Sequence, residues 1–220
     1  MIREPNVFLL DEPFSHIDAS LRVNIRSEIR RLVNQTRTTT ILVTHDQHEA
    51  LAMADTVMVM NFAEKQQVGT PKDLLHKPAN IFVANFVGEP SINFINCSLR
   101  KEGEQRYLSC SKAKGRFMIS NRAANMIDSW GVSEIIAGIR PQELRLVPPE
   151  TAYIRGSAVL FEFLGEAGHL LVQSGEEQLT VVTGPYLKIE KGDPVGLAVD
   201  KSEVFIFDPA TGKAIMHGIE

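Results

Sequence analysis

Short, unbroken apolar runs alternate with amphipathic stretches over the first part of the chain. Val7, Phe8, Leu9 and Leu10 form one such run, the pattern of a strand buried on both faces of a sheet. Leu21, Ile25, Ile29 and Leu32 then recur at helical spacing, with Arg22, Arg26, Arg30 and Arg31 largely off that face. Residues 19–34 are therefore expected to form a surface helix headed by Asp18. Residues 40–43 read as a second buried strand, and Asp46 with Glu49 makes a capping box for a helix carrying Ala50, Leu51 and Ala54. A third strand is expected over 56–60, and Thr70 before Pro71 opens a short helix through Leu74 and Leu75. This alternation is that of an α/β layer with a largely parallel sheet.

The pattern changes at Gly88-Glu89-Pro90-Ser91, a turn-prone stretch where the chain is expected to divide into residues 1–87 and 88–220. Beyond it come short β runs at 94–99, 106–110, 116–119, 134–139, 157–163, 170–173, 178–182, 195–199 and 204–207. One helix near 122–128 interrupts them, and turns rich in Gly, Pro, Asp and Ser separate them. Such spacing predicts a small β barrel or sandwich.

Composition narrows the partners. The 220 residues are 44% hydrophobic and 23% charged, with a net charge of -4. That is ordinary globular composition and gives no basic field for nucleic-acid phosphates, so no nucleic-acid partner is expected. No apolar run approaches the roughly 18 residues of a spanning helix, and the first residues lack a secretory pattern, which makes the cytosol the expected location. Cys97 and Cys110 are too few for a disulfide framework or a four-cysteine zinc site and read as small buried residues.

The sharpest chemical signal is the strand 7–10 running into Asp11-Glu12-Pro13. Carboxyl ends of strands face the ligand crevice in open α/β folds. Phosphoryl transfer to water needs one carboxylate to help hold Mg²⁺ and another group to orient or deprotonate the nucleophile. An Asp-Glu pair also closes many strands with no chemistry at all. What strengthens the chemical reading is the order that follows: Ser15-His16-Ile17-Asp18, then Thr44-His45-Asp46-Gln47, then Glu49-Ala50 and Ala54-Asp55.

Taken together, these segments resemble the distal half of an ABC-transporter ATPase domain, and more narrowly the importer ATPases for maltose, related sugars or glycerol phosphate. Gln67-Val68-Gly69-Thr70-Pro71 and residues 82–88 resemble that subfamily too, and Ala137-Gly138-Ile139-Arg140-Pro141 looks like a marker of its transport-associated OB-type (TOBE) domain. The resemblance implies a fold that is α/β, a partial P-loop NTPase of ABC ATPase type over 1–87, followed by an all-β OB-like accessory domain over 88–220. It implies Asp11 and Glu12 in the Walker B segment, with Asp11 serving Mg²⁺ through a water and Glu12 polarising the attacking water. Ser15 and Asp18 fall in the D-loop, and His45 is the switch histidine that contacts the γ-phosphate. ATP and Mg²⁺ are the implied cofactors. The implied partners are transmembrane permease subunits, a second ATPase subunit and, indirectly, an extracytoplasmic solute-binding protein, with the chain peripheral on the inner face of the cell membrane.

Each residue keeps a plainer reading. Asp18 serves equally as a helix cap. His45 could simply end a strand. His45 and His48 have H-x-x-H spacing, but no further ligand joins them, which argues against zinc. His16 stands where the resembled family commonly has Asn, and Arg140 reads as structural or interfacial.

The sequence contains no G-x-x-x-x-G-K-[ST] loop and no LSGGQ-type segment. Gly212-Lys213 is followed by Ala214, so it reads as a turn. The chain alone is accordingly expected neither to bind ATP as the family does nor to hydrolyse it. Three readings follow: a partial ATP-binding subunit of a carbohydrate-type importer, a noncatalytic module that binds a permease or effector, and a standalone hydrolase using Asp11, Glu12 and His45. The third lacks a nucleophile and a phosphate-binding motif.

Overall fold

The apolar run at the start becomes β1 (Val7–Asp11), in a computed structural model that describes residues 6–220. The next elements are α1 (Ala19–Thr36), β2 (Thr39–Val43), α2 (Gln47–Met53), β3 (Val57–Asn61), β4 (Glu64–Gly69) and α3 (Pro71–His76). They make up the first of two compact units, Met1–His76. β1 and β2 pair in parallel, with Asp11 opposite Val43. α1 closes on Arg37 in the left-handed region (φ 53), whose N–H donates to the Val33 carbonyl, the usual way of satisfying a last-turn carbonyl.

The expected largely parallel layer is not what forms among the described residues. β3 does not join β1 and β2; it pairs antiparallel with β4 in a separate two-stranded sheet. Phe62 and Ala63, between them, both have positive φ (46 and 63), the backbone a tight hairpin turn demands. β4 escapes a pattern reading because Glu64, Lys65, Gln66 and Gln67 carry no apolar alternation.

The second unit is Lys77–Glu220. It contains α4 (Ile81–Phe86), β5 (Asn93–Glu102), β6 (Gln105–Cys110), β7 (Lys114–Ile119), α5 (Asn121–Ser129), β8 (Glu134–Ile139), β9 (Leu144–Val147), β10 (Ile154–Phe163), β11 (Gly168–Ser174), β12 (Glu177–Thr183), β13 (Pro194–Val199), β14 (Phe205–Phe207) and β15 (Ala214–His217). The compact division falls after His76, earlier than the composition shift at 87/88. The reason is local. Ile81 N–H donates to the Gly212 carbonyl (2.8 Å), Ala214 N–H donates to the Ala79 carbonyl (2.9 Å), and Ala84 buries with Ile92, Phe205 and Phe207. The turn at 88–91 is thus a bend inside this unit.

Its strands run in the order β12-β11-β10-β7-β6-β5-β8-β14-β15, with β13 bridging β10 and β9. A side chain closes the circuit from β12 back to β5. The buried Asn93 amide donates to the carbonyls of Ile139 (3.2 Å) and Thr180 (2.9 Å) and accepts from Thr180 N–H (2.8 Å). The result is a mostly β body around a continuous core that includes Ile95, Leu108, Phe117, Ile139, Leu170 and Leu197. Cys97 and Cys110 face each other across β5 and β6, buried, with sulfurs 3.7 Å apart. Hydrogen bonding to Cys110, together with burial, pushes the Cys97 thiol far above the ordinary thiol range.

Candidate functional site

Parallel pairing of β1 with β2 puts the two strands' carboxyl ends side by side. Asp11 lies opposite Val43, and the Glu12 N–H donates to the Val43 carbonyl (2.9 Å). Glu12 and His45 therefore leave neighbouring strand ends and meet. One carboxylate oxygen, Glu12 Oε1, takes the His45 backbone N–H at 3.0 Å and lies 2.8 Å from the imidazole Nδ1. Hydrogen bonding to Glu12, reinforced by its charge, raises the His45 pKa above the ordinary value. The side chain of His45 is 81% exposed, so its far nitrogen is open to a ligand.

Glu12 has φ 44, a left-handed conformation that a non-glycine residue adopts at a cost of about 1–3 kcal/mol. Ser15 helps hold this corner, because its hydroxyl donates to the Glu12 carbonyl (3.0 Å) and its N–H reaches the same oxygen (3.3 Å). Ser15 is thus a turn-former on the Glu12 side of the site.

The other predicted residues are placed apart from the pair. Asp11 is exposed at the end of β1. Asp18 heads α1, but its side chain makes no capping hydrogen bond; its carbonyl accepts from Leu21 and Arg22 N–H instead. Among the described residues, neither Asp11 nor Asp18 has a side-chain hydrogen bond or ion pair to Glu12 or His45. Asp46 caps α2 through His48 N–H (2.8 Å), as expected, but Glu49 does not complete the capping box. The Glu49 carboxylate instead accepts from the Thr44 hydroxyl (2.6 Å), and Asp46 N–H donates to that same hydroxyl oxygen (3.0 Å).

Arg22, Thr44 and the buried role of Glu49 are the parts of the site that pattern reading missed. The Arg22 guanidinium spans from the Ile17 carbonyl (3.2 Å) to Asp46 (3.5 Å), tying the 15–18 turn to the turn that carries His45. Its place on the polar side of the α1 pattern gave no hint of that reach. The two histidines of the H-x-x-H spacing are engaged by different carboxylates, His45 by Glu12 and His48 by Asp46. Elsewhere, Arg140 donates to the Val87 carbonyl (2.8 Å) and lies over the Phe205 ring, a structural position in which burial lowers its pKa.

Among the described residues, no group of three or more His, Cys, Asp and Glu could hold a metal ion. What the site offers is one exposed carboxylate, Asp11. That fits an ion such as Mg²⁺ only if phosphate and water supply most of its oxygens, a common arrangement for this cation. No helix among the described residues is long and apolar enough to cross a membrane.

The chain is homologous along its whole length to ATP-binding subunits of sugar and glycerol-phosphate ABC importers, and residues 137–207 match the TOBE domain family. It is 37% identical over 220 residues to the sn-glycerol-3-phosphate import ATP-binding protein UgpC 1 of Rhizobium johnstonii, covering 100% of this chain and 58% of that protein. It is 34% identical to the trehalose/maltose import ATP-binding protein MalK of Thermococcus litoralis, covering 98% and 59%, and 36% identical to the xylose/arabinose import ATP-binding protein XacK of Haloferax volcanii, covering 99% and 56%. The chain therefore spans a little over half the length of these relatives. Among solved structures, the molybdate-bound cytoplasmic protein ModG aligns with a TM-score of 0.40 and 11% identity, over 53% of this chain and 96% of that one.

Proposed function

We propose that this chain supplies the carboxylate and switch-histidine side of an ATP-hydrolysing site in the ATP-binding subunit of an ABC importer for a carbohydrate-type solute. The observation that carries the reading is the Glu12–His45 contact at the carboxyl ends of adjacent parallel strands. When bound, Mg²⁺-ATP supplies the phosphoanhydride to be cleaved and the cation that offsets its charge.

The chain's own residues do the rest. Glu12 engages His45 through Oε1, which leaves Oε2 to orient a water and accept its proton. His45, held at Nδ1, presents the opposite ring nitrogen as a donor to a phosphate oxygen, and its raised pKa keeps more of it cationic near neutrality. Asp11 offers a carboxylate to the ion through a water. Ser15 and Asp18 belong to the D-loop, with Ser15 shaping the Glu12 corner and Asp18 facing a second ATPase subunit.

On this reading residues 1–87 are the distal part of an ATPase domain and 88–220 its OB-like accessory domain. The phosphate cradle comes from sequence that this chain does not contain. The partners are permease subunits, a second ATPase subunit and, through the permease, a solute-binding protein. The location is the cytoplasmic face of the membrane. Exposed apolar side chains on the β1–β2 pair support the division of labour, since parallel strands are ordinarily covered on both faces.

The test is Mg²⁺-ATP binding and turnover by the purified chain beside its Glu12→Gln variant. Neither protein should turn over ATP. Robust hydrolysis by the parent, abolished in the variant, would show that these residues act without the missing cradle. A second reading, a noncatalytic module that binds a permease or effector, draws on the self-closed sheet of the second unit. Retained permease binding without any nucleotide requirement favours it.

A further inference from the structure

Glu49 is a buried carboxylate that the proposed reaction does not use. α2 turns it inward, only 3% exposed, and, after the hydrogen bond and charge of Glu12, its charge is among those that raise the His45 pKa. Keeping a carboxylate in such a place is costly unless its acceptor capacity is needed. The need is visible in the Thr44 hydroxyl, 2.6 Å away. A carboxylate offers only acceptors and a hydroxyl has a single proton, so Thr44 must donate to Glu49. Its lone pairs are then aimed at Asp46 N–H, 3.0 Å off.

Residues 44 and 46 are thereby fixed on either side of His45, whose backbone N–H and ring both reach Glu12 Oε1. We propose that Glu49 is a positioning residue: through the Thr44 hydroxyl it locks the 44–46 turn and so holds His45 against Glu12. The proposal deepens the reading of Glu12 and His45 as the working pair and takes its functional meaning from it. Asp46 extends the same lock outward, capping α2 through His48 N–H and meeting Arg22.

The test is amide hydrogen exchange by NMR on the full chain, with no nucleotide present. Thr44→Val keeps the shape and removes the hydroxyl. It should speed exchange of the His45 amide on the order of tenfold, the loss expected for one released hydrogen bond, while β11 amides keep their parent rates. Glu49→Leu should do the same at His45. Thr44→Ser and Glu49→Gln, which keep a hydroxyl and a carbonyl acceptor, should restore protection.

A residue that merely stabilised α2 would leave the His45 amide and ring signals alone. Parent-like His45 exchange in both Thr44→Val and Glu49→Leu overturns the proposal. Should Thr44→Val lose α2 protection altogether, Thr44→Ser decides, and fast His45 exchange in that variant overturns it as well. Because the readout needs no ATP, failure of the hydrolytic reading and failure of this one are separately visible.

Discussion

The parallel β1–β2 pair of the first unit and the sheet of the second treat their apolar side chains in opposite ways. In the first, Val7, Leu9, Ile41 and Val43 point alternately out of the parallel β1–β2 pair and stay exposed, Leu9 at 75%. In the second, Ile135, Ala137, Leu170 and Val172 are essentially inaccessible to solvent, and a side-chain amide closes the sheet. Apolar burial is the main favourable term in folding, at roughly 25 cal/mol per Å², so the second unit draws more stability from its own burial than the β1–β2 pair does. The strand ends that bring Glu12 to His45 sit on the less covered scaffold.

The sharpest way to break this comparison is to truncate one residue in each unit. Leu170→Ala should destabilise the second unit by about 2–5 kcal/mol, the range for deleting a fully buried leucine. Leu9→Ala should stay within about 0.5 kcal/mol. Denaturant unfolding followed by residue-resolved NMR reads both, and equal costs would erase the distinction.

Next in size is Asn93→Ala, which strips three hydrogen bonds and strands Thr180 N–H. A loss of about 1–3 kcal/mol is expected, with the β12 amides losing protection first. A smaller effect concerns chemistry in the second unit. With its thiol pKa raised by Cys110 and burial, Cys97 should resist alkylation at pH 8 in the folded chain and react once denaturant is added.

The smallest effect lies in the first unit. His45 should titrate above its ordinary 6.5, and Glu12→Gln should bring it back down. Because the folded pKa is the raised one, the pair's contribution is complete below about pH 6.5 and fades as pH rises through the raised midpoint. NMR of the imidazole across pH 5 to 9 follows it, and an unshifted midpoint in the parent would contradict the contact.

Pattern alone located β1, α1, β2 and most strands of the second unit, because their apolar spacing is intact. It could not see β4, whose Glu64-Lys65-Gln66-Gln67 run is polar on both sides. Nor could it assign α4, read at first only as a subfamily-like segment, to the body it packs on. Of the candidate site, Asp11, Glu12 and His45 were singled out by the order of segments that resembles the ABC ATPases. The meeting of Glu12 with His45 depends on parallel register, and no local spacing encodes register. Glu49 shows why local rules can mislead. Its spacing from Asp46 is that of a capping box, yet a nearer hydroxyl takes its carboxylate. Asn93 left no trace, since a closing amide is defined only by strands that lie far along the sequence.

The most direct test of the proposed function is Mg²⁺-ATP turnover by the importer assembly it implies, an ATP-binding subunit carrying this chain with its permease, parent against Glu12→Gln. A positioned base contributes about 10²–10⁴-fold, so the variant should lose at least about a hundredfold while the assembly stays intact. Turnover within twofold of the parent would show that Glu12, and the strand-end pair it forms with His45, is not where the chemistry happens.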